Sequence, residues 1–302
     1  MKKNKSLILY LISVALSSAV LIQTAILFNK TANIVAAFYM LTPALSAIFV
    51  RIFFYENKFS DACLSFGKWK WYFQAWTAGV LISLLFSIAY ILSGSASLDF
   101  TGQGFIEQID HYSSENYEEM IRDIPAGMSL VSVLLLYTIG GLTIFNIPGI
   151  ILGFGEEFGW RGFMFPLLYK INPAFAFLGG GLIWFLWHIP LTFLSPQLPD
   201  FTSWHFLMKM FILCIGGICT FILFAYIFAI YRNIWIPSLF HITMNNSSRA
   251  LSYWMMYENQ EIANLMIMMV MSILVGLLWI TGRFKVFREQ AAESQNLSPG
   301  TP

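Results

Sequence analysis

The sequence predicts an all-α fold, a polytopic transmembrane helical bundle of about eight spans with both termini in the cytoplasm. Hydrophobic residues make up 58% of the 302 residues and charged residues only 11%, against roughly 25% charged in a typical soluble domain. A bilayer is crossed by about 20 apolar residues in a helix. Eight segments have that length: 7–28, 33–54, 72–93, 128–154, 173–195, 206–230, 234–256 and 262–281. We therefore expect a multi-pass protein of the cell membrane, surrounded by lipid.

The distribution of basic residues predicts the orientation of the bundle. With the N-terminus inside, 13 of the 17 lysines and arginines lie on or toward the cytoplasmic side; the other four are Lys30, Arg122, Lys209 and Arg249. The positive-inside rule predicts this asymmetry. The net charge of +1 provides no extended basic surface, so we expect no nucleic-acid partner.

Residues 1–127 are predicted to form the N-terminal membrane spans and one acidic extracellular loop. The first apolar run, from Ser6 to about Phe28, is too long for the core of a signal peptide, so we expect it to be retained as a span. The loop over 95–127 is rich in carboxylates and is predicted to be solvated, with one or two amphipathic helical turns. Its acidic residues are Asp99, Glu107, Asp110, Glu115, Glu118, Glu119 and Asp123.

The segment 128–170 is too long to be one straight span. At 1.5 Å per residue it would measure ~64 Å, about twice the hydrocarbon thickness. A break is expected at Asn146-Ile147-Pro148-Gly149, because proline removes a backbone donor and clashes with the preceding turn. We predict a helix from there to Lys170, a turn at Ile171-Asn172-Pro173 and a further helix from 174. A separate span over 128–145 is the alternative.

The C-terminal end is predicted to contain one membrane span and a polar tail. Residues 257–281 contain the last span. The polar tail 282–302 is rich in Ser, Gln, Pro and Gly, and is predicted to be a disordered cytoplasmic segment.

The stretch Gly155-Glu156-Glu157-Phe158-Gly159-Trp160-Arg161-Gly162 places two carboxylates and an arginine inside an apolar segment. A charge at the bilayer centre costs at least ~2.5–3.5 kcal/mol, so ionisable residues there usually mark a functional site. On a helix, Glu157 and Arg161 share a face, whereas Glu156 points about 100° away from its neighbour. One carboxylate can therefore be held by the arginine while the other stays available for chemistry. A purely structural Glu157–Arg161 ion pair is the alternative.

A helical hairpin around Asn172 would bring Glu156 and His188 together. Glu156 lies 16 residues before Asn172 and His188 lies 16 residues after it, so antiparallel helices joined there place both side chains at the same depth. Trp184 lies four residues before His188 and shares its helix face. As an alternative, His188 is a hydrogen-bonded packing residue.

A second histidine lies on a later span. His241 and Asn245 are four residues apart and share a helix face. His241 follows Arg232 by nine residues, or ~13 Å of helical rise, which suits a site in the cytoplasmic half of the membrane. The alternative is that the pair only joins helices through hydrogen bonds.

Three ordered motifs carry a resemblance to a known family: Glu156-Glu157-x-x-x-Arg161, Trp184-x-x-x-His188 and His241-x-x-x-Asn245. Over roughly 145–250 the chain resembles the CAAX protease and bacteriocin-processing family of intramembrane proteases, also called the Abi family. The second motif of that family usually begins with phenylalanine. Trp184 takes that place here and keeps an aromatic wall for the substrate pocket.

The resemblance implies that 128–256 form an intramembrane protease core. Glu156 corresponds to the catalytic glutamate, and Glu157 and Arg161 to the adjoining acid and its partner. His188 corresponds to the second group that activates water. His241 and Asn245 correspond to the pair that stabilises the oxyanion.

The same side chains admit a metal-dependent alternative. Glu156, His188 and His241 could hold a Zn²⁺ with an open position for water. If the glutamate acts directly, no cofactor is expected. The sequence contains no His-Glu-x-x-His pair, no Gly-x-Ser-Gly serine site and no Gly-x-Gly-Asp aspartyl site.

The predicted function is hydrolysis of peptide bonds in membrane-associated peptides or proteins. The sequence leaves open whether the substrate is a prenylated CAAX tail or a bacteriocin-type peptide. A second hypothesis is a non-proteolytic bacteriocin-immunity or scaffold protein that acts by binding. A third is a small-molecule transporter whose buried carboxylates relay protons. The sequence predicts no oligomeric state.

Overall fold

The computed structural model describes residues 3–28, 32–112, 128–144, 146–194 and 200–289. This part of the chain is almost entirely helical, which confirms the predicted all-α class. Two predicted segments lie partly outside the described residues: the acidic loop over 113–127 and the polar tail from 290 onward.

The N-terminal half supplies three long helices. They are α1 (Lys3–Phe28), α2 (Ala32–Phe54) and α3 (Trp69–Leu92). The strand β1 (Ala96–Leu98) and the helix α4 (Gln103–Tyr112) follow within the predicted acidic loop.

The C-terminal half contains the helices on which the predicted site lies. In chain order its elements are α5 (Leu130–Leu142), α6 (Ile147–Gly159), a π-helical turn (Trp160–Met164), α7 (Phe165–Ile171), α8 (Pro173–His188), a 3₁₀ segment (Ile189–Leu194), α9 (Trp204–Tyr231), α10 (Trp235–Ser252), β2 (Met255–Tyr257) and α11 (Gln260–Ile280). β2 pairs with β1 in an antiparallel register that sets Ala96 opposite Tyr257.

Six helical segments of the described chain are long and apolar enough to cross a membrane. They are formed by α1, α2, α3, α8 with its 3₁₀ extension, α9 and α11. The bent pair of α5 with the segment from α6 to α7, inclined at 45°, would make a seventh. The span predicted over 234–256 is helical as α10, but its polar side chains keep it out of this set. The chain is a multi-pass membrane protein; the count of eight and the cytoplasmic termini stay predictions.

The apolar segment 128–154 does not form one helix, because the chain breaks between Leu142 and Ile147. Asn146 caps α6 by accepting a hydrogen bond from the Gly149 amide at 2.9 Å, and Pro148 occupies the first turn, where its missing N–H has no cost. The break that the sequence predicted at 146–149 is therefore confirmed.

The predicted turn at Asn172 is also confirmed. Its side chain accepts a hydrogen bond from the Phe175 amide at 2.9 Å and caps α8, which begins at Pro173. The α-helix ends at His188, earlier than the apolar segment to 195 suggested. Pro190 lies two residues further on, and proline cannot donate the backbone hydrogen bond that an α-helix needs.

The helix that bears the carboxylates widens into a π-helical turn directly after them. The Phe165 amide donates to the Trp160 carbonyl, one residue further than in an α-helix. No feature of the sequence predicted this turn. π-Helical turns inside α-helices occur frequently at functional sites.

Glycines let α6 approach its neighbours closely. A Cβ atom at Gly159 would lie 2.4 Å from the Pro43 side chain and 2.5 Å from its carbonyl carbon on α2. A Cβ at Gly153 would lie 2.7 Å from the Ser238 carbonyl oxygen on α10. Small residues at such contacts allow helix backbones to pack together in membranes. Gly153 and Gly159 therefore allow α6 to pack closely between α2 and α10.

Two clusters of buried apolar side chains meet at α6, the helix that bears Glu156 and Glu157. One includes Trp160 and Trp184, and the other includes Phe224 and Phe240. The rings of Trp184 and Phe224 lie 6.2 Å apart. Arg161 lies over both rings, so the buried charges are enclosed where the two clusters join.

Gly159→Ala is expected to lower the melting temperature of the purified protein in detergent. Overpacking a tight contact typically costs about 1–3 kcal/mol, and the Pro43 backbone leaves no room for the added methyl. Gly140→Ala is the matched control, because a Cβ at this helical position of α5 meets nothing within 4 Å. Equal melting temperatures for the two variants would contradict close packing of α6 on α2.

Candidate active site

Both predicted carboxylates are buried in the last turn of α6. Glu156 is 2% exposed, Glu157 is 0% exposed and Arg161 is 0% exposed. A carboxylate taken out of water costs free energy unless it is paired and hydrogen-bonded. The contacts of each carboxylate therefore indicate how it is used.

Glu157 is held by two basic side chains at one oxygen. Arg161 donates from Nη1 to Glu157 Oε1 at 2.9 Å, as the four-residue spacing predicted. His241 donates from Nδ1 to the same oxygen at 2.8 Å. The second contact connects α6 to α10 and was not predicted, since 84 residues separate the partners. Glu157 therefore fixes the orientation of the His241 ring.

Arg161 is enclosed by aromatic rings on its remaining sides. Its guanidinium carbon lies 5.0 Å from the ring centre of Trp184, 4.4 Å from Phe221 and 4.9 Å from Phe224. Cations within about 6 Å of such rings are attracted by the ring quadrupole. These rings and Glu157 together fix the position of the arginine.

Glu156 points away from Glu157 and toward α8, as helix geometry predicted. Its Oε2 accepts a hydrogen bond from Trp184 Nε1 at 3.0 Å and lies 3.8 Å from His188 Nε2. The predicted meeting of Glu156 with His188 across the hairpin is found in the structure. Trp184 was predicted as an aromatic wall, but its indole is also a hydrogen-bond donor to the carboxylate.

The hydrogen bond of His188 defines its neutral tautomer. Nδ1 lies 2.8 Å from the Trp184 carbonyl oxygen, which can only accept, so Nδ1 carries a proton. In the neutral ring, Nε2 therefore has a free lone pair on the side of Glu156. The His188 side chain is 36% exposed and Glu156 is 3% exposed, so the histidine forms the more accessible edge of the pair.

Asn245 follows His241 by one helical turn but does not join this hydrogen-bond network. It is exposed, and no hydrogen bond within the described residues links it to either glutamate. Its predicted role with His241 at an oxyanion stays a prediction. A cavity of about 440 Å³ lies between α5 and α10, but none of the predicted catalytic residues lines it.

The three predicted metal ligands are not brought together as one set. In the described residues, no group of three or more His, Cys, Asp or Glu side chains lies close enough to hold a metal ion. Glu156 approaches His188, whereas Nδ1 of His241 is engaged by Glu157. We therefore derive no step through a metal, and the Zn²⁺ alternative stays a prediction.

The three sequence motifs fall within one stretch that resembles a known family. Residues 138–247 match the family model of type II CAAX prenyl endopeptidase Rce1-like proteins. Over this stretch, the match confirms the predicted resemblance to the CAAX protease family. It spans α6, α8 and most of α10, and every predicted catalytic residue lies within it. No curated protein matches the chain.

The match supports an intramembrane endopeptidase of the CAAX protease type at the level of the family. The buried carboxylates, the hydrogen-bonded histidines and the helical membrane architecture all belong to the same Rce1-like region. This region is therefore the candidate active site.

Trp184→Phe is expected to lower kcat for peptide cleavage about tenfold, because it removes the N–H that donates to Glu156 and keeps an aromatic ring. A hydrogen bond to a charged group contributes about 1.5–3 kcal/mol, and a factor of ten corresponds to about 1.4 kcal/mol. Trp187→Phe is the matched control, since that indole donates to Ser18 at 3.0 Å. Equal kcat values for both variants would mean that the Trp184 indole does not assist Glu156.

Proposed function

We propose that the chain is an intramembrane endopeptidase in which Glu156 and His188 activate a water molecule for attack on a peptide carbonyl. The observation that carries the proposal is the 3.8 Å approach of His188 Nε2 to Glu156 Oε2. The two groups come from different helices and present two proton acceptors to the same space.

The arrangement suits a water that donates two hydrogen bonds. One proton of the water would face Glu156 and the other would face the lone pair of His188 Nε2. The oxygen lone pair is then free to attack the carbonyl carbon. Glu156 acts as general base and takes one proton, a role that typically contributes 10²–10⁴-fold.

The second step returns that proton. The tetrahedral intermediate collapses, the carbon–nitrogen bond breaks, and protonated Glu156 donates its proton to the leaving amine. The Trp184 indole holds the Glu156 carboxyl in place during both transfers. The new carboxylic acid gives its proton to the amine, so the products are a carboxylate and an ammonium group, and the enzyme regains its initial protonation state.

His241 and Asn245 are proposed to stabilise the oxyanion. Nδ1 of His241 is engaged by Glu157, so the ring can donate to an oxyanion only from Nε2, and only when it is protonated. The Glu157 carboxylate would stabilise that imidazolium. Asn245 contributes a neutral amide donor one turn further along α10. Loss of one oxyanion donor typically costs 10²–10³-fold in kcat.

The proposed substrates are membrane-associated peptides or proteins. The matched family is described as a prenyl endopeptidase, so prenylated CAAX peptides belong in the substrate set beside unmodified membrane peptides of the bacteriocin type. The exposed edge of His188 is the side from which a scissile bond would approach Glu156.

Glu156→Gln and His188→Ala are each expected to reduce cleavage by at least about 10²-fold, since each removes a group that holds the attacking water. Purified protein in detergent is incubated with farnesylated CAAX peptides and with unmodified membrane peptides, and products are identified by mass spectrometry. Glu261→Gln is the matched control, because Glu261 is 63% exposed and forms its ion pair with His205, outside the three motifs.

Each outcome of this assay supports or contradicts one of the functional hypotheses. Equal cleavage by wild type and Glu156→Gln would contradict the mechanism. Cleavage that persists in a zinc chelator supports direct glutamate catalysis, and chelator-sensitive cleavage supports the metal-dependent alternative. If folded wild type cuts neither class of peptide, the non-proteolytic binding or immunity hypothesis replaces the protease.

A further inference from the structure

The segment that joins α2 to α3, residues 55–68, contacts the start of α10, which bears His241, and is joined through Arg51 to the π-helical turn that follows Glu157. We call it the α2–α3 loop. Arg51, in the last turn of α2, connects this loop to the π-helical turn that follows the carboxylates. None of these residues belongs to the three sequence motifs.

Arg51 binds the π-helical turn directly. Its Nη2 donates to the Gly162 carbonyl oxygen at 2.8 Å, and Gly162 is the neighbour of Arg161. Its Nη1 donates to the Lys58 carbonyl and to Asp61 Oδ1, the latter at 2.6 Å. One guanidinium therefore joins the loop to the turn that holds Arg161. Its planar fork suits this geometry better than a lysine ammonium would.

The Arg51 guanidinium is buried among aromatic rings. The residue is 1% exposed. The rings of Phe158 and Phe163, which flank Arg161 in sequence, lie 5.6 Å and 5.1 Å from its guanidinium carbon, and Tyr55 lies 5.3 Å away. A buried cation needs partners, and two of these rings come from the carboxylate-bearing segment itself.

Asp61 holds Arg51 from the loop side. Tyr55 donates to Asp61 Oδ2 at 2.7 Å and Asn57 donates to the same oxygen at 3.1 Å. Burial alone would raise the pKa of the Asp61 carboxyl, but the hydrogen bonds from Tyr55, Arg51 and Asn57 outweigh it and hold the pKa below its ordinary value. Asp61 is thus ionised at neutral pH and remains paired with Arg51.

The same loop also holds the start of α10. The Ile234 amide donates to the Cys63 carbonyl at 3.0 Å, and Trp235 Nε1 donates to the Leu64 carbonyl at 3.1 Å. The Asn233 side chain donates to the Ser65 carbonyl and accepts from the Ile236 amide at 3.1 Å. The loop therefore fixes the first turn of the helix on which His241 lies.

We propose that Arg51 and the α2–α3 loop form a clamp that sets the position of the π-helical turn relative to α10, so that Glu157 and Arg161 meet His241. Arg51 is a positioning residue in this proposal, since it touches neither substrate nor the reacting atoms. The proposal rests on the proposed protease for its kinetic consequence, while its structural consequence is independent of any activity.

The clamp matters because the Glu157–His241 contact is short and specific. A shift of the π-helical turn along α10 would separate Nδ1 of His241 from Glu157 Oε1, now 2.8 Å apart. Such a shift would also break the contact of Arg51 with Gly162 or the contacts of the loop with residues 233–235. In an active site, a misplacement of about 1 Å can cost 10²-fold in rate.

Arg51→Lys and Asp61→Asn are the test variants, and Arg283→Gln, an exposed cation beyond α11, is the control. We expect kcat for peptide cleavage to fall roughly 10–100-fold in both test variants, with KM changed less than about threefold. Arg51→Lys keeps the charge but not the fork, and Asp61→Asn keeps the size and removes the charge. Melting temperature in detergent verifies that each variant is folded.

Hydrogen–deuterium exchange tests the clamp without any substrate. We expect faster amide exchange over 158–168 and 234–240 in the test variants than in wild type, and unchanged exchange in α11. Unchanged exchange over both segments would overturn the clamp. If wild type cleaves and both test variants retain its kcat, the positioning role is overturned as well. If wild type cleaves nothing but exchange increases locally as expected, the clamp stands and the proposed protease function fails.

Discussion

The buried carboxylate of Glu157 is the constraint on which the rest of the site depends. It is fully buried and carries hydrogen bonds from Arg161 on its own helix and from His241 on α10. An unpaired charge at this position would be strongly destabilising, so both partners must lie close to the same oxygen. Three features hold them there: the glycine contacts of α6, the π-helical turn and the hydrogen-bonded start of α10.

The two adjacent glutamates have different surroundings because helix geometry points them apart. Glu157 is committed to neighbouring helices through two basic partners, whereas Glu156 has one indole donor and faces a histidine with a free lone pair. The first arrangement fixes structure and the second leaves an acceptor available. Two neighbouring glutamates thus provide one fixed interhelical contact and one available hydrogen-bond acceptor in a membrane interior, where each charge is costly.

Sequence reasoning predicted the features that depend on spacing along one helix or hairpin. The break at Asn146, the turn at Asn172, the Glu157–Arg161 pair and the meeting of Glu156 with His188 all follow from residue intervals, and the structure contains each of them. Spacing carries no information on contacts between remote helices. The His241–Glu157 bond, the indole donor at Glu156 and the Arg51–Gly162 bond depend on how helices pack, so they were missed.

The ion pair between Arg161 and Glu157 is less extensive than it could be. An arginine can form a bidentate pair, with two parallel N–H donors on one carboxylate. Here only Nη1 reaches Glu157, and within the described residues the buried Nε and Nη2 of Arg161 and the Oε2 of Glu157 have no protein hydrogen-bond partner. A single N–H contact fixes orientation less firmly than a bidentate pair. The aromatic rings over Arg161 and the contact of Glu157 with His241 therefore complete the positioning of the ion pair.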